Sequence, residues 1–137
     1  MIDIPKGVAL WLHIASVAFL IGGALYGRLA IQAAAATLAP DAAAKVGDAA
    51  AERYRGWVFM TIVVLLVTGV YNYLHTGAHS ARYHILLGIK LLLVLHIFAS
   101  ALLSLRPNNP RRARQLAGAG ISGLAVILIA VYLSQIA

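Results

Sequence analysis

His13 in WLHIASVAFLIGG, and Lys90 and His96 in HILLGIKLLLVLHIFAS, are polar side chains set in almost unbroken apolar runs. An imidazole in such surroundings has two uses. It can hydrogen-bond a neighbouring segment, or it can ligate a metal such as iron or copper. For His13 and His96 the residue pattern leaves both open. For Lys90 the alternatives are a buried cation and a stem that carries the ammonium back to an interface. Three further histidines, His75, His79 and His84, are spaced H-x3-H-x4-H in a polar stretch. Their default reading is a solvated loop, and a surface copper site is the weaker alternative. There is no cysteine, which removes disulfides, zinc–thiolate sites and thiol nucleophiles.

The elements that must position these residues follow from composition. Of 137 residues, 62% are hydrophobic and 11% charged. Soluble domains carry ~25% charged residues, so the chain belongs with a lipid bilayer. Four segments reach the ~20 apolar residues that a membrane helix needs. They run from about 4 to 36, 52 to 74, 83 to 105 and 111 to 135, and form one domain. The first lacks a basic leader and is too long for a cleavable signal, so it reads as a membrane helix. Asp3 is its expected N-cap, with Pro5 in the first turn. Backbone groups in lipid must pair within their own segment, which makes helices the default. Short connections predict an all-α, integral membrane four-helix bundle, antiparallel in up-down-up-down order. The LAPDAAAKVGDAA linker is a candidate for partial helix.

The net charge is +7. Its distribution argues for membrane topology and against nucleic acid. Arg28, Lys45, Arg53, Arg55, Arg106, Arg111, Arg112 and Arg114 fall on one side, and only Lys6 and Arg82 on the other. That bias predicts a cytoplasmic face for the basic side. Both termini, and the loop with His75 and His79, would then face the periplasm of a bacterial inner membrane.

Helical spacing places the polar residues on seams. His13, Ser16, Leu20, Gly23 and Gly27 share a face of the first helix, and Thr61, Leu65, Thr68, Asn72 and His75 share one of the second. Gly120, Gly123, Ile127, Ala130 and Ser134 share one of the fourth. Gly23, Gly27, Gly120 and Gly123 are expected to serve close helix packing, within one chain or between copies. At ~1.5 Å per residue, His13 lies ~9–13 Å and Lys90 ~10 Å from the outer helix ends, with His96 deeper at ~20 Å.

Haem b is a natural occupant of such a bundle, since neutral imidazole ligates its iron and small-residue seams leave room for a flat ring. His13 is the expected primary ligand. His96 would supply a second ligand across a depth difference of ~7–10 Å. Lys90 would act as a second ligand or as partner to a propionate. Copper is the alternative cofactor, although neither Met1 nor Met60 stands beside a histidine. The third reading is a cofactor-free structural subunit of a membrane complex. No carboxylate lies inside a span, which disfavours proton or cation transport. No nucleophile–base pair or phosphate loop is visible.

The pieces W-L-H…G-G…R-L in the first helix, R…T-G-V-Y in the second and K-L-L-L-V-L in the third resemble two related four-helix families. They carry Trp11, His13 and Arg28, then Arg55, Thr68 and Gly69, then Lys90. One family is HemJ, the membrane protoporphyrinogen oxidases; the other is the copper resistance protein D (CopD-like) domain. The HemJ resemblance implies haem b, an essential first-helix histidine at His13 and a third-helix lysine at Lys90. It implies oxidation of a porphyrinogen, an oxidoreductase activity. The CopD-like resemblance implies copper handling at the outer face. The fourth helix, with RRARQLAGAGISG and LSQIA, departs from the acidic, proline-containing start and Lys-Pro ending of the HemJ pattern. The expected function is therefore a haem-b redox protein for electron transfer or for oxidation of a porphyrinogen or quinol.

Overall fold

A computed structural model describes residues 1–137. It contains four helices: α1 (Ile4–Thr37), α2 (Pro40–Leu74), α3 (Ala81–Ser104) and α4 (Arg112–Ile136). Each is long and apolar enough to cross a membrane, and the chain is a multi-pass membrane protein. Asp3 caps α1 as its sequence suggests, its carboxylate accepting from the Lys6 N–H at 3.1 Å. Ser80 caps α3 by accepting from the Tyr83 N–H at 3.2 Å.

One boundary differs. The second helix begins at Pro40 and not near Glu52. Pro40 stands in the first turn, where a missing N–H costs nothing. The alanine-rich run behind it has high intrinsic helix propensity. This segment is helical without being apolar enough to lie in lipid, so hydropathy alone stops short of it. As a result α1 and α2 are ~50 Å long and α3 and α4 ~36–38 Å.

The helices do not pack evenly. α1 lies against both α2 and α4, and α3 lies against α4, while α2 and α3 touch only slightly. The bundle is antiparallel, with one side left open between α2 and α3. Its core runs through Leu20, Ala24, Val58, Leu65, Ile97, Ala101, Leu116, Ala119 and Val126. Large apolar side chains such as Val63, Leu92, Leu95, Ile121 and Leu128 are exposed. In water that surface would be a liability; in a bilayer it is the lipid-facing skin.

The α1–α4 seam shows why small residues are needed. A Cβ added at Gly120 would run into Leu25, and one at Gly123 into Ile21. A Cβ at Gly27 would come 3.3 Å from Leu116, and at Gly23 the space is taken by the Tyr54 hydroxyl. All four glycines therefore serve close packing within the chain. The buried stripe of α4 is turned from the expected one, however. It follows Leu116, Ala119, Gly120, Gly123, Val126 and Leu133, keeping the two glycines of the expected seam, while Ile127 and Ser134 are exposed. Leu116, Val126 and Leu133 make dispersion contacts with the neighbouring helices that a purely small seam could not supply.

The arginine-rich end is fastened by one polar cluster. Arg112 is buried, 6% exposed. Its guanidinium donates to Ser104 O at 2.8 Å, to Arg106 O at 2.6 Å and to Asp48 Oδ1 at 2.9 Å. Gly47 makes room for it: a Cβ there would sit 2.6 Å from Arg112 Nη1. Asp48 also accepts from the Asn108 N–H at 3.0 Å. Asn108 has φ of 51°, a conformation that asparagine tolerates better than most residues.

Candidate functional site

His13 and Lys90 each stand nine residues from the start of their helices, Ile4 and Ala81. Both helices start at the same end of the antiparallel bundle, so both side chains lie at ~14 Å depth. Thr68 on α2 joins them. His13 Nδ1 lies 2.9 Å from Thr68 Oγ1, and Lys90 is half-buried within electrostatic reach of the imidazole. Residues from α1, α2 and α3 thus converge beside the open α2–α3 side.

The hydrogen bonds fix the tautomer. The Thr68 hydroxyl gives its proton to Val64 O at 2.6 Å, which leaves Oγ1 as an acceptor. His13 Nδ1 must therefore carry the proton and donate it. Nε2 is left with its lone pair, unpartnered by the protein and not closed over. The ring lies against the α2 backbone, where a Cβ on Gly69 would be 3.5 Å from its Cε1. A neutral imidazole oriented through one nitrogen with the other free is the arrangement that metal-binding histidines use.

His96 is placed differently. Its Nδ1 pairs with Ser122 Oγ at 3.0 Å, and its Nε2 faces Ser100 Oγ at 3.4 Å. These partners lie on α4 and α3, so the His96 bonds run across a different helix pair from those of His13. Both nitrogens are engaged. The expected pairing of His13 with Lys90 is brought together; a pairing of His13 with His96 is not.

His75, His79 and His84 belong to an aromatic cluster at the α2–α3 connection. His75 Nδ1 donates to Tyr71 O at 2.8 Å and its ring stacks on Tyr71 at 4.0 Å. His79 stacks on Tyr83 at 3.7 Å, and its Nε2 donates to Thr76 Oγ1 at 2.9 Å. Its Nδ1 is buried without a partner. His84 meets His79 edge-on, with centroids 6.2 Å apart. No three His, Asp or Glu side chains gather into one coordination-sized group.

Two features escape a reading by residue type. Thr68 stands on a polar seam, but its role as the acceptor for His13 depends on α1 and α2 being neighbours. Arg112 looks like one more basic residue of the arginine-rich end. The glycine and aspartate that receive it, Gly47 and Asp48, lie 64 residues or more upstream. Comparison with protein-family models, curated proteins and solved structures returns no match.

Proposed function

We propose that this chain is a haem-b-binding redox protein of the bacterial inner membrane, with His13 as the iron ligand. The observation that carries this reading is the His13–Thr68 pair. It presents a neutral imidazole at depth in the bilayer with Nε2 free. The residues fit the group. His13 supplies a neutral nitrogen donor, and Thr68 orients the ring and keeps the proton on Nδ1. Lys90 supplies a cation for a propionate and is paired with no carboxylate of the chain. The open α2–α3 side leads to them from the lipid.

When bound, haem b contributes one-electron redox chemistry, tuned by its ligand and burial. The protein's part is to bind and orient the ring and to exclude water from it. The reaction would be electron transfer or oxidation of a hydrophobic substrate, a porphyrinogen or a quinol, entering laterally. The likeness of WLH, TGVY and KLLLVL to the HemJ and CopD-like families supports this reading. The basic bias of the arginine-rich end supports termini on the periplasmic side.

The test is an absorption spectrum of the purified, detergent-solubilised protein with haem supplied during expression. A Soret band with sharp α and β bands on reduction, lost in His13→Ala, is the expected result. A colourless protein that carries copper, or neither metal, overturns it.

A further inference from the structure

A groove of about 380 Å³ lies between α3 and the first half of α4. His96 and Ser100 form one wall, and Arg111, Arg114, Gln115 and Gly118 the other. No apolar side chain lines it, in a chain that is 62% hydrophobic.

Its cations have no partners. The two ion pairs of the structure engage Arg55 and Arg112. Arg111 bonds only through its backbone, its N–H to Asn109 Oδ1 and its carbonyl from the Gln115 N–H, and neither its guanidinium nor that of Arg114 has a hydrogen bond or carboxylate. Arg111 is the N-cap residue of α4 and Arg114 follows in its first turn; both are exposed, at the same end of the helix. Gln115 accepts from Asn109 Nδ2 at 2.7 Å through its carbonyl oxygen, which leaves its amide N–H groups unused. Gly118 keeps the floor open: a Cβ there would meet the His96 ring at 3.5 Å and Ser100 Oγ at 3.8 Å.

The groove also opens sideways. His96 is exposed, and so are Leu92, Leu95 and Ala99 around it on the same face of α3. Leu124 is exposed on α4. A ligand seated here has a cationic rim at one end and lipid-facing apolar side chains along its length.

We propose that this groove binds the headgroup of an anionic phospholipid. The phosphate diester sits between the Arg111 and Arg114 guanidiniums, whose planar donors match its oxygens. The free Gln115 amide hydrogen-bonds an ester oxygen below, and the acyl chains lie over Leu92, Leu95 and Leu124. The shared chemistry is phosphate recognition. The lateral opening and the apolar flanks commit the site to a lipid over free phosphate. The inference is independent of any cofactor at His13.

Native mass spectrometry of the delipidated protein with added phosphatidylglycerol or phosphatidylcholine tests it. One phosphatidylglycerol is expected to be retained in preference to phosphatidylcholine. At ~5-fold per guanidinium, Arg111→Gln with Arg114→Gln should weaken retention about 30-fold. Gly118→Leu should weaken it comparably by filling the groove with every charge in place. Lys45→Gln with Arg106→Gln, at the same end but outside the groove, should leave it unchanged. Equal retention of both lipids, or loss from the Lys45/Arg106 control as large as from the groove variants, overturns the proposal. So does displacement of the lipid by equimolar inorganic phosphate. Should Gly118→Leu fail to elute as a folded protein, the Arg111/Arg114 and Lys45/Arg106 double variants decide the question between them.

Discussion

Thr68 accepts a proton from His13 Nδ1 at 2.9 Å while giving its own to Val64 O at 2.6 Å. Replacing it by valine keeps the shape and removes the acceptor. The ring is then free to rotate, and the proton free to move to Nε2. Loss of a partner of this kind costs metal sites ~10–100-fold in affinity. Thr68→Val should therefore lower haem retention by that range without unfolding the bundle, measured as haem-to-protein ratio after dialysis against apomyoglobin. Unchanged retention would detach Thr68 from the site.

His96→Ala should leave the absorption spectrum of the haem-loaded protein as it is. Both His96 nitrogens face serines, Ser122 and Ser100, and not the His13 ring. A shifted Soret band in this variant would restore His96 as a ligand.

Lys90→Met removes the cation within reach of His13 while keeping a flexible apolar stem. A charge-assisted hydrogen bond contributes ~1.5–3 kcal/mol, so haem affinity should fall about tenfold or more, with Lys90→Arg retaining most of it. Haem transfer kinetics read this directly. An equal loss in both variants would point to packing as Lys90's contribution.

Gly47→Ala places a methyl group 2.6 Å from Arg112 Nη1, and this guanidinium cannot retreat without leaving Ser104 O and Asp48. Overpacking of this kind costs ~1–3 kcal/mol. Thermal unfolding in detergent should register it as a lowered midpoint, whereas Gly56→Ala, where nothing lies within 4 Å, should change little.

Asp48 precedes the apolar run of α2 and lies outside the span. The hydrogen bond from Arg112 holds its carboxyl below the usual carboxylate range, helped by the Asn108 N–H and by the charge of Arg112, against partial burial. A depressed folded-state value means that the stabilisation is complete above the unfolded value near ~4. It is lost as pH falls through the lower, folded one. Acid should therefore loosen the arginine-rich end in the wild type, and Asp48→Asn should remove that component of the pH dependence. Protease cleavage in the 105–111 connection, followed from pH 7 downward, checks the direction.

What the sequence discloses divides along physical lines. Helix number, order and the caps at Asp3 and Pro5 are local properties of a chain under the bilayer's hydrogen-bond constraint, and they are legible. The packing role of Gly23, Gly27, Gly120 and Gly123 is also legible, because small residues at helical spacing have few other uses in a span. The α4 stripe is less so: past Gly123 a helix face can continue through Val126 and Leu133 or through Ile127 and Ser134, and spacing alone does not choose between them. Equal depth of His13 and Lys90 follows from helix rise. The different surroundings of His13 and His96 do not, because they depend on α1 meeting α2 while α3 meets α4. The Arg112 cluster is a contact between distant segments, and residue type gives no sign of it.

Two helices of ~50 Å and two of ~36–38 Å cannot all fit a hydrocarbon slab of ~30 Å. The surplus belongs to the alanine-rich tip around Thr37–Pro40, which must project as a stalk into the aqueous phase, above the anchorage that Asp48 and Arg112 provide. Trimming several residues from each arm of that stalk would shorten the molecule while leaving its membrane-embedded half intact.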